Sequence, residues 1–303
     1  MGGLEVAPAS PDEWPGASRL ALGNSPPVDL ETRSTRLLQL VRDGRFDPAG
    51  LVVARSKGTL VGAIAAQVLP GGAGVVLPPF GPDSTVREAL VEAAKEHFRR
   101  SDTVVVHCLL DPHEATQAAS LVARGFRHVT QIRHMLRRGA DVPEEAFPAS
   151  PTLGFVPYTA ALDAVFADTL RRTYIDTLDL PETTVDRPAA QQLEGYRHGQ
   201  PDPPRWWLAE TAGRPVGVVL LSLVDSDGAG EIGYLGLVPE ARGRGLGRAL
   251  VRHAITESAR AGIDDLGLSV DARNTPAVRI YRSAMFREYQ LEDLYLLRLA
   301  TAG

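Results

Sequence analysis

A chain of 303 residues, 44% of them hydrophobic, is long enough for two domains with a core each. Lys plus Arg number 32 against 37 Asp plus Glu, a formal net charge of −5, which argues against a nucleic-acid partner. The single cysteine, Cys108, excludes an intrachain disulfide, and neither a secretory leader nor an apolar run of about 18 residues is visible, so a cytoplasmic protein with no membrane association is expected.

In chain order, a short alternating strand at 4–8 precedes a broken helical region and a helix near 30–43. Residues 51–55 and 60–69 read as a hairpin around Lys57-Gly58, and 74–80 as a strand stopped by prolines. Val86, Leu90, Val91, Ala94 and Phe98 recur at helical spacing. Residues 103–110 form an apolar strand expected to bury Cys108, and 117–124 a helix that Gly125 terminates. Strands around 128–131 and 134–138 close this half. Residues 139–152 hold Pro143, Pro148 and Pro151, a linker composition that sets domains at 1–145 and 152–303. The second half repeats the order, with a strand near 154–158, helices at 162–174 and 189–197, and a hairpin of 206–210 with 216–224. Strand 231–238, a helix through Leu246, Leu250, Val251, Ala254 and Ile255, strand 266–270, helix 276–284 and final strands through 291–299 follow. Each half reads β-α-α-β-β-β-α-β-α-β, an α/β (α+β) fold whose mixed, mostly antiparallel sheet carries helices on both faces.

The halves also match residue by residue. Phe286 lies 160 residues after Phe126, and at that offset 242–298 falls on 82–138 without a gap, matching Ala249-Leu250-Val251 with Ala89-Leu90-Val91 and Asp271 with Asp111. One period of this size is a duplicated domain and not a solenoid. The copies differ at one turn, Arg242-Gly243-Arg244-Gly245-Leu246-Gly247 in the second against Pro82-Asp83-Ser84-Thr85-Val86-Arg87 in the first. Glycines there permit positive φ and close approach of a ligand, the helix start presents unpaired N–H groups, and Arg242, Arg244 and Arg248 add charge. Such a nest suits a pyrophosphate. Gly247-Arg248-Ala249 lacks the Lys-Ser/Thr of a P-loop, and Arg248 stands where a dinucleotide fingerprint requires its third glycine.

The strand 235–241, this turn, Asn274 and Tyr281 together resemble the GNAT superfamily of acetyl-CoA-dependent N-acyltransferases over the whole second half. The resemblance implies that the coenzyme A arm threads between strands 231–238 and 266–270, against the main chain of Leu237 and Val238. The turn from Arg242 through Gly243, Arg244, Gly245, Leu246 and Gly247 to Arg248 would hold the pyrophosphate. Asn274 would orient the arm, cap the helix at Pro276, or do both. Tyr281 would protonate the departing thiolate, its alternative being a core aromatic. Glu231 would act as base toward the attacking amine, directly or through water, its alternatives being to bind the substrate ammonium or to be a solvated strand-end residue. Acetyl-CoA is the implied co-substrate, with no metal, and the implied partner is a small-molecule amine or a peptide N-terminus. Met285 replaces the family's usual glycine before Phe286, whereas the first copy keeps Gly125-Phe126. In that first copy Asp83 and Thr85 replace two of the turn's glycines and Leu121 replaces Tyr281, so it is expected to be degenerate. The tandem arrangement, its length and the Glu at 231 are similar to mycothiol synthase, a likeness that does not carry the substrate over. Residues 177–204 would line the acceptor site. A coenzyme A-binding pseudoenzyme that senses or scaffolds is the alternative function.

Overall fold

A computed structural model of the chain describes residues 3–24, 27–139, 153–184, 189–197, 205–224 and 229–299. The expected proline-bearing linker and part of the expected acceptor segment lie outside these residues. Contacts divide the chain into two compact units, Met1–Thr130 with Glu292–Gly303, and Gln131–Leu291.

In the first unit β1 (Leu4–Pro8), β2 (Leu51–Ser56), β3 (Thr59–Leu69) and β4 (Ala73–Val76) pair antiparallel in turn. β5 (Val105–Leu110) then pairs parallel to β4. Two helices, α1 (Trp14–Ala21) and α2 (Pro27–Arg42), cover one face against Leu51, Val53, Ala63 and Ala65. α3 (Ser84–Arg99) and α4 (Ala115–Ala123) cover the other, against Val52, Ala54, Ile64 and Ala66. Alternate residues of β2 and β3 thus serve opposite cores, which is why both read as near-continuous apolar runs. Cys108 is fully buried in the second of these cores, and burial pushes its thiol well up.

The second unit repeats this plan. β7 (Gly154–Pro157), β8 (Arg205–Thr211), β9 (Arg214–Val224) and β10 (Ala229–Leu237) pair antiparallel, and β11 (Asp265–Asp271) runs parallel to β10. α5 (Asp163–Thr173) and α7 (Ala189–Arg197) pack on the face of Trp206, Leu208, Val218 and Leu220. A one-turn helix, α6 (Pro181–Thr184), lies between them in sequence and was not expected. α8 (Leu246–Arg260) and α9 (Thr275–Ser283) pack on the face of Val219, Leu221, Ile232 and Leu268.

The last strand of each repeat crosses over. β6 (Arg127–Arg138) closes the first repeat in sequence, yet its residues Ile132–Arg138 pair antiparallel with β11 in the second unit. β12 (Arg287–Arg298) closes the second repeat, and its residues Asp293–Arg298 pair with β5 in the first. The units therefore divide inside these strands, and the sequence halves divided at the proline-bearing segment. β6 and β12 are each one continuous strand, where two short ones were read at 128–138. In β6 the buried positions shift from Thr130 and Ile132 to Met135 and Arg137, a change of phase that mimics a break. Among the described residues no helix is long and apolar enough to cross a membrane, and no three His, Cys, Asp or Glu side chains are grouped to hold a metal.

Candidate active site

The site is built where β10 and β11 part. Their register runs from Ala229↔Asp265 to Ile232↔Leu268 and stops, although β10 continues to Leu237 and β11 to Asp271. β10 stays paired with β9 throughout, with a register slip between Ile232 and Tyr234. Gly233 is the extra residue of that bulge, and it reverses the alternation: Ile232 packs with α8 and α9, Tyr234 with α5 and α7. Beyond Gly233 one edge of β10 is hydrogen-bonded and the other faces a widening gap, a geometry that admits an extended ligand arm as an added strand.

The glycine turn closes the wide end of this gap. Gly243 has φ of 72° and Gly245 of 80°. A Cβ on either would meet nothing within 4 Å, so the left-handed backbone and not crowding requires glycine at both. Gly245 is the N-cap of α8 and supplies no capping side chain, which leaves the helix start to attract an anion. At the equivalent point of the first unit, the Asp83 carboxylate accepts the Val86 N–H at 2.9 Å and caps α3. Gly247 differs in having a close neighbour, because a Cβ there would stand 3.1 Å from Ile280 Cδ1 of α9 and that side-chain tip would have to give by a few tenths of an ångström.

The three arginines also separate. Arg242 donates to the carbonyls of Leu237 (3.1 Å), Thr173 (2.8 Å) and Asp176 (2.9 Å), so its guanidinium ties β10 to the end of α5. Arg244 and Arg248 are exposed, and neither guanidinium makes a hydrogen bond or ion pair among the described residues. Val238 and Leu246 are buried with Ala241, so only their main chain can meet a ligand; the Val238 N–H is already donated to Val216 O at 2.9 Å. Asn274 is the N-cap of α9, its Oδ1 accepting the Ala277 N–H at 3.3 Å.

Glu231 lies one residue before the last β10–β11 pair, and Tyr281 belongs to the core on the opposite face of the sheet. Glu231 pairs in register with Ser222 and Gly267, on the face that α5 and α7 share, while Tyr281 sits in the core of α8 and α9. Burial raises the Glu231 carboxyl, which makes its ionised form a stronger base, and His134 opposes the rise. Burial, and then the charge of Asp179, push the Tyr281 phenol well above the ordinary tyrosine range, so it remains a donor at any working pH. Its hydroxyl makes no hydrogen bond among the described residues.

Sequence reasoning missed the side chains that fix the segment after α5. The Asp271 N–H donates to Asp179 Oδ1 at 2.9 Å, and the Leu180 N–H returns to Asp271 Oδ2 at 3.3 Å. Arg273 bonds the same Asp271 and grips Glu182 through two bonds of 2.8 and 2.9 Å. With Arg242 holding Thr173 and Asp176, this segment is fastened to the far ends of both parted strands. Asp176 and Leu180 carry positive φ, 51° and 46°, strain of the kind that collects at functional sites. One signal was legible: Asp271 matches Asp111, and each accepts the N–H two residues on, at 2.8 and 2.9 Å.

The profile of the acetyltransferase (GNAT) family matches residues 168–285. The chain is 30% identical to a mycothiol acetyltransferase of Clavibacter michiganensis subsp. michiganensis over 86% of its own length and 83% of that protein. It is 29% identical to a mycothiol acetyltransferase of Thermomonospora curvata over 86% of each. In fold it is similar to a GCN5-related N-acetyltransferase from Sphaerobacter thermophilus, with TM-score 0.70 at 20% identity over 97% of this chain and 95% of that one. A tandem GNAT protein from the clavulanic acid biosynthesis pathway gives TM-score 0.58 at 18% identity over 99% and 100%.

Proposed function

We propose that this chain, which belongs to the GNAT acetyltransferase family, moves the acetyl group of acetyl-CoA to a primary amine of a small molecule or a peptide N-terminus, and does so in its second unit. The observation that carries the proposal is the parting of β10 from β11 beyond Ile232↔Leu268, with a glycine-opened helix start that has no side-chain cap beyond it. The pyrophosphate would lie on the N–H groups of the turn, with the exposed Arg244 and Arg248 as counter-charges. The pantetheine arm would run along the open edge of β10 and bring the thioester to the narrow end.

There the acceptor ammonium gives a proton to Glu231, directly or through water. The freed nitrogen lone pair attacks the thioester carbon, the C–N bond forms and the C–S bond breaks. The sulfur leaves with the electron pair of that bond and takes the proton of the Tyr281 hydroxyl, the second proton shed by the nitrogen as it becomes the amide restores that hydroxyl, and Glu231 passes its proton to water, so that coenzyme A departs as the thiol. Buried surroundings favour this chemistry at both groups: a carboxylate with a raised pKa holds a proton more firmly, and a phenol with a raised pKa is not lost to ionisation. The first unit caps α3 with Asp83 and buries Leu121 where Tyr281 would stand, so it is assigned no acetyl transfer.

The test is an amine panel that includes the precursor of mycothiol, the thiol in the relatives' names, with acetyl-CoA as donor and the N-acetyl product followed by mass spectrometry. The proposal expects product with the wild-type chain and little with Glu231→Gln. Tight acetyl-CoA binding with no product from any amine would favour the scaffold reading.

A further inference from the structure

We infer that His134, carried by the last strand of the first repeat, is a positioning residue for the acceptor side of the second unit's site, where it sets the ionisation of Glu231. The inference rests on the reading of Glu231 as the base.

The register fixes the placement. Glu231 of β10 pairs with Gly267 of β11, and Gly267 pairs with Leu136 of β6. Residues in register share a face, and so do residues two apart on one strand. His134 and its register partner Ser269 therefore lie on the face of Glu231. The strand between them carries a glycine at the level of Glu231, so no side chain of that row stands between the carboxylate and β6. His134 is held from two sides: its Nδ1 is 3.0 Å from Ser269 Oγ, and its ring centroid is 6.2 Å from that of Tyr289 of β12, which is 64% exposed. Ser222 completes the row on β9.

On the face of Glu231 lie Asp265 and Asp271 of β11 and Arg138 of β6, with Asp179 before α6 and the phenols of Tyr174, Tyr196 and Tyr234 in the layer of α5 and α7, whereas Arg133 is on the opposite face. Arg133 is paired with Glu288, Asp271 holds Arg273, and Arg138 stands opposite Asp265 in register. Burial raises the Glu231 carboxyl, and the charge of His134 draws it back toward the carboxylate that accepts the ammonium proton. The strand that closes the first repeat thus completes the second repeat's site, which gives a degenerate copy a reason to remain attached.

The experiment uses the full chain labelled with 13C at the glutamate side-chain carboxyls, the Glu231 signal being identified by its loss in E231Q. Its pH titration is compared among wild type, H134Q and H134K. The expected result is a Glu231 midpoint moved to higher pH in H134Q, where the charge is gone, and not in H134K, where a cation is kept. Coincident midpoints for wild type and H134Q would overturn the inference. A parallel assay of E231Q, with any panel amine that the wild type acetylates, separates the two ideas. If E231Q retains wild-type turnover, the reading of Glu231 as base fails, and the role of His134 in the reaction falls with it. If E231Q is inactive and the H134Q midpoint is unmoved, His134 alone is overturned.

Discussion

Tyr281 has a packing role and a chemical one, and they can be separated. Its ring meets Phe286 edge-on at 5.8 Å, and its carbonyl accepts the Phe286 N–H at 3.0 Å at the end of α9. Tyr281→Phe keeps both and removes the hydroxyl. Turnover is expected to fall roughly 10²-fold while acetyl-CoA affinity, read by calorimetry, holds; unchanged kcat would make Tyr281 a packing residue. Four residues on, Met285 adopts φ of 69°, where the first repeat has Gly125 at 94°. The two helix ends share their bonds, Phe286 N–H to Tyr281 O and Phe126 N–H to Leu121 O, so the same motif is closed by glycine in one copy and by a strained methionine in the other. A side chain in the left-handed region costs about 1–2 kcal/mol, and the greater unfolded-state freedom of glycine returns about half of that. Met285→Gly is therefore expected to raise Tm slightly and leave kcat unchanged, and a lower Tm in a thermal melt would contradict this.

At the scale of elements, the glycine turn carries the sharpest expectation. Arg244→Glu changes only an exposed charge, whereas Gly245→Val forces a β-branched residue into a left-handed backbone without any clash. Both should abolish measurable acetyl-CoA binding in calorimetry on folded protein, and retained affinity in either would remove the turn from the site. This turn, the Asn274 cap and nearly every strand and helix were legible in the sequence because each depends on local rules: glycine at positive φ, Asn before Thr-Pro, apolar periods of two and 3.6. What was not legible depends on partners distant in the chain. The bulge at Gly233 is defined only by its register with β9, and the direction of the Arg242 guanidinium only by carbonyls of Thr173 and Asp176. β4 ends at Val76 although the apolar run continues to Phe80, because beyond it a single bridge, Ala63↔Phe80, replaces the ladder.

The duplication itself was plain, since β6 and β12 align residue for residue at the offset of 160. The exchange of those strands was not, because a strand's sequence does not say which β edge it will complete. Its consequence is that a cut at the proline-bearing segment would strip β11 of β6, one of its two neighbours, and remove His134 from the face of Glu231. The two units are unequal, one with a glycine turn that has no side-chain cap and a buried tyrosine, the other with Asp83 on the helix start and Leu121 in the core. The measurement that tests this most directly is a crystal structure of the full chain with acetyl-CoA. The account predicts pyrophosphate density on the turn from Arg242 to Arg248, the arm along the open edge of β10, and the thioester sulfur against Tyr281. Equal occupancy beside β4 in the first unit, with its thioester facing an open acceptor pocket, would contradict it.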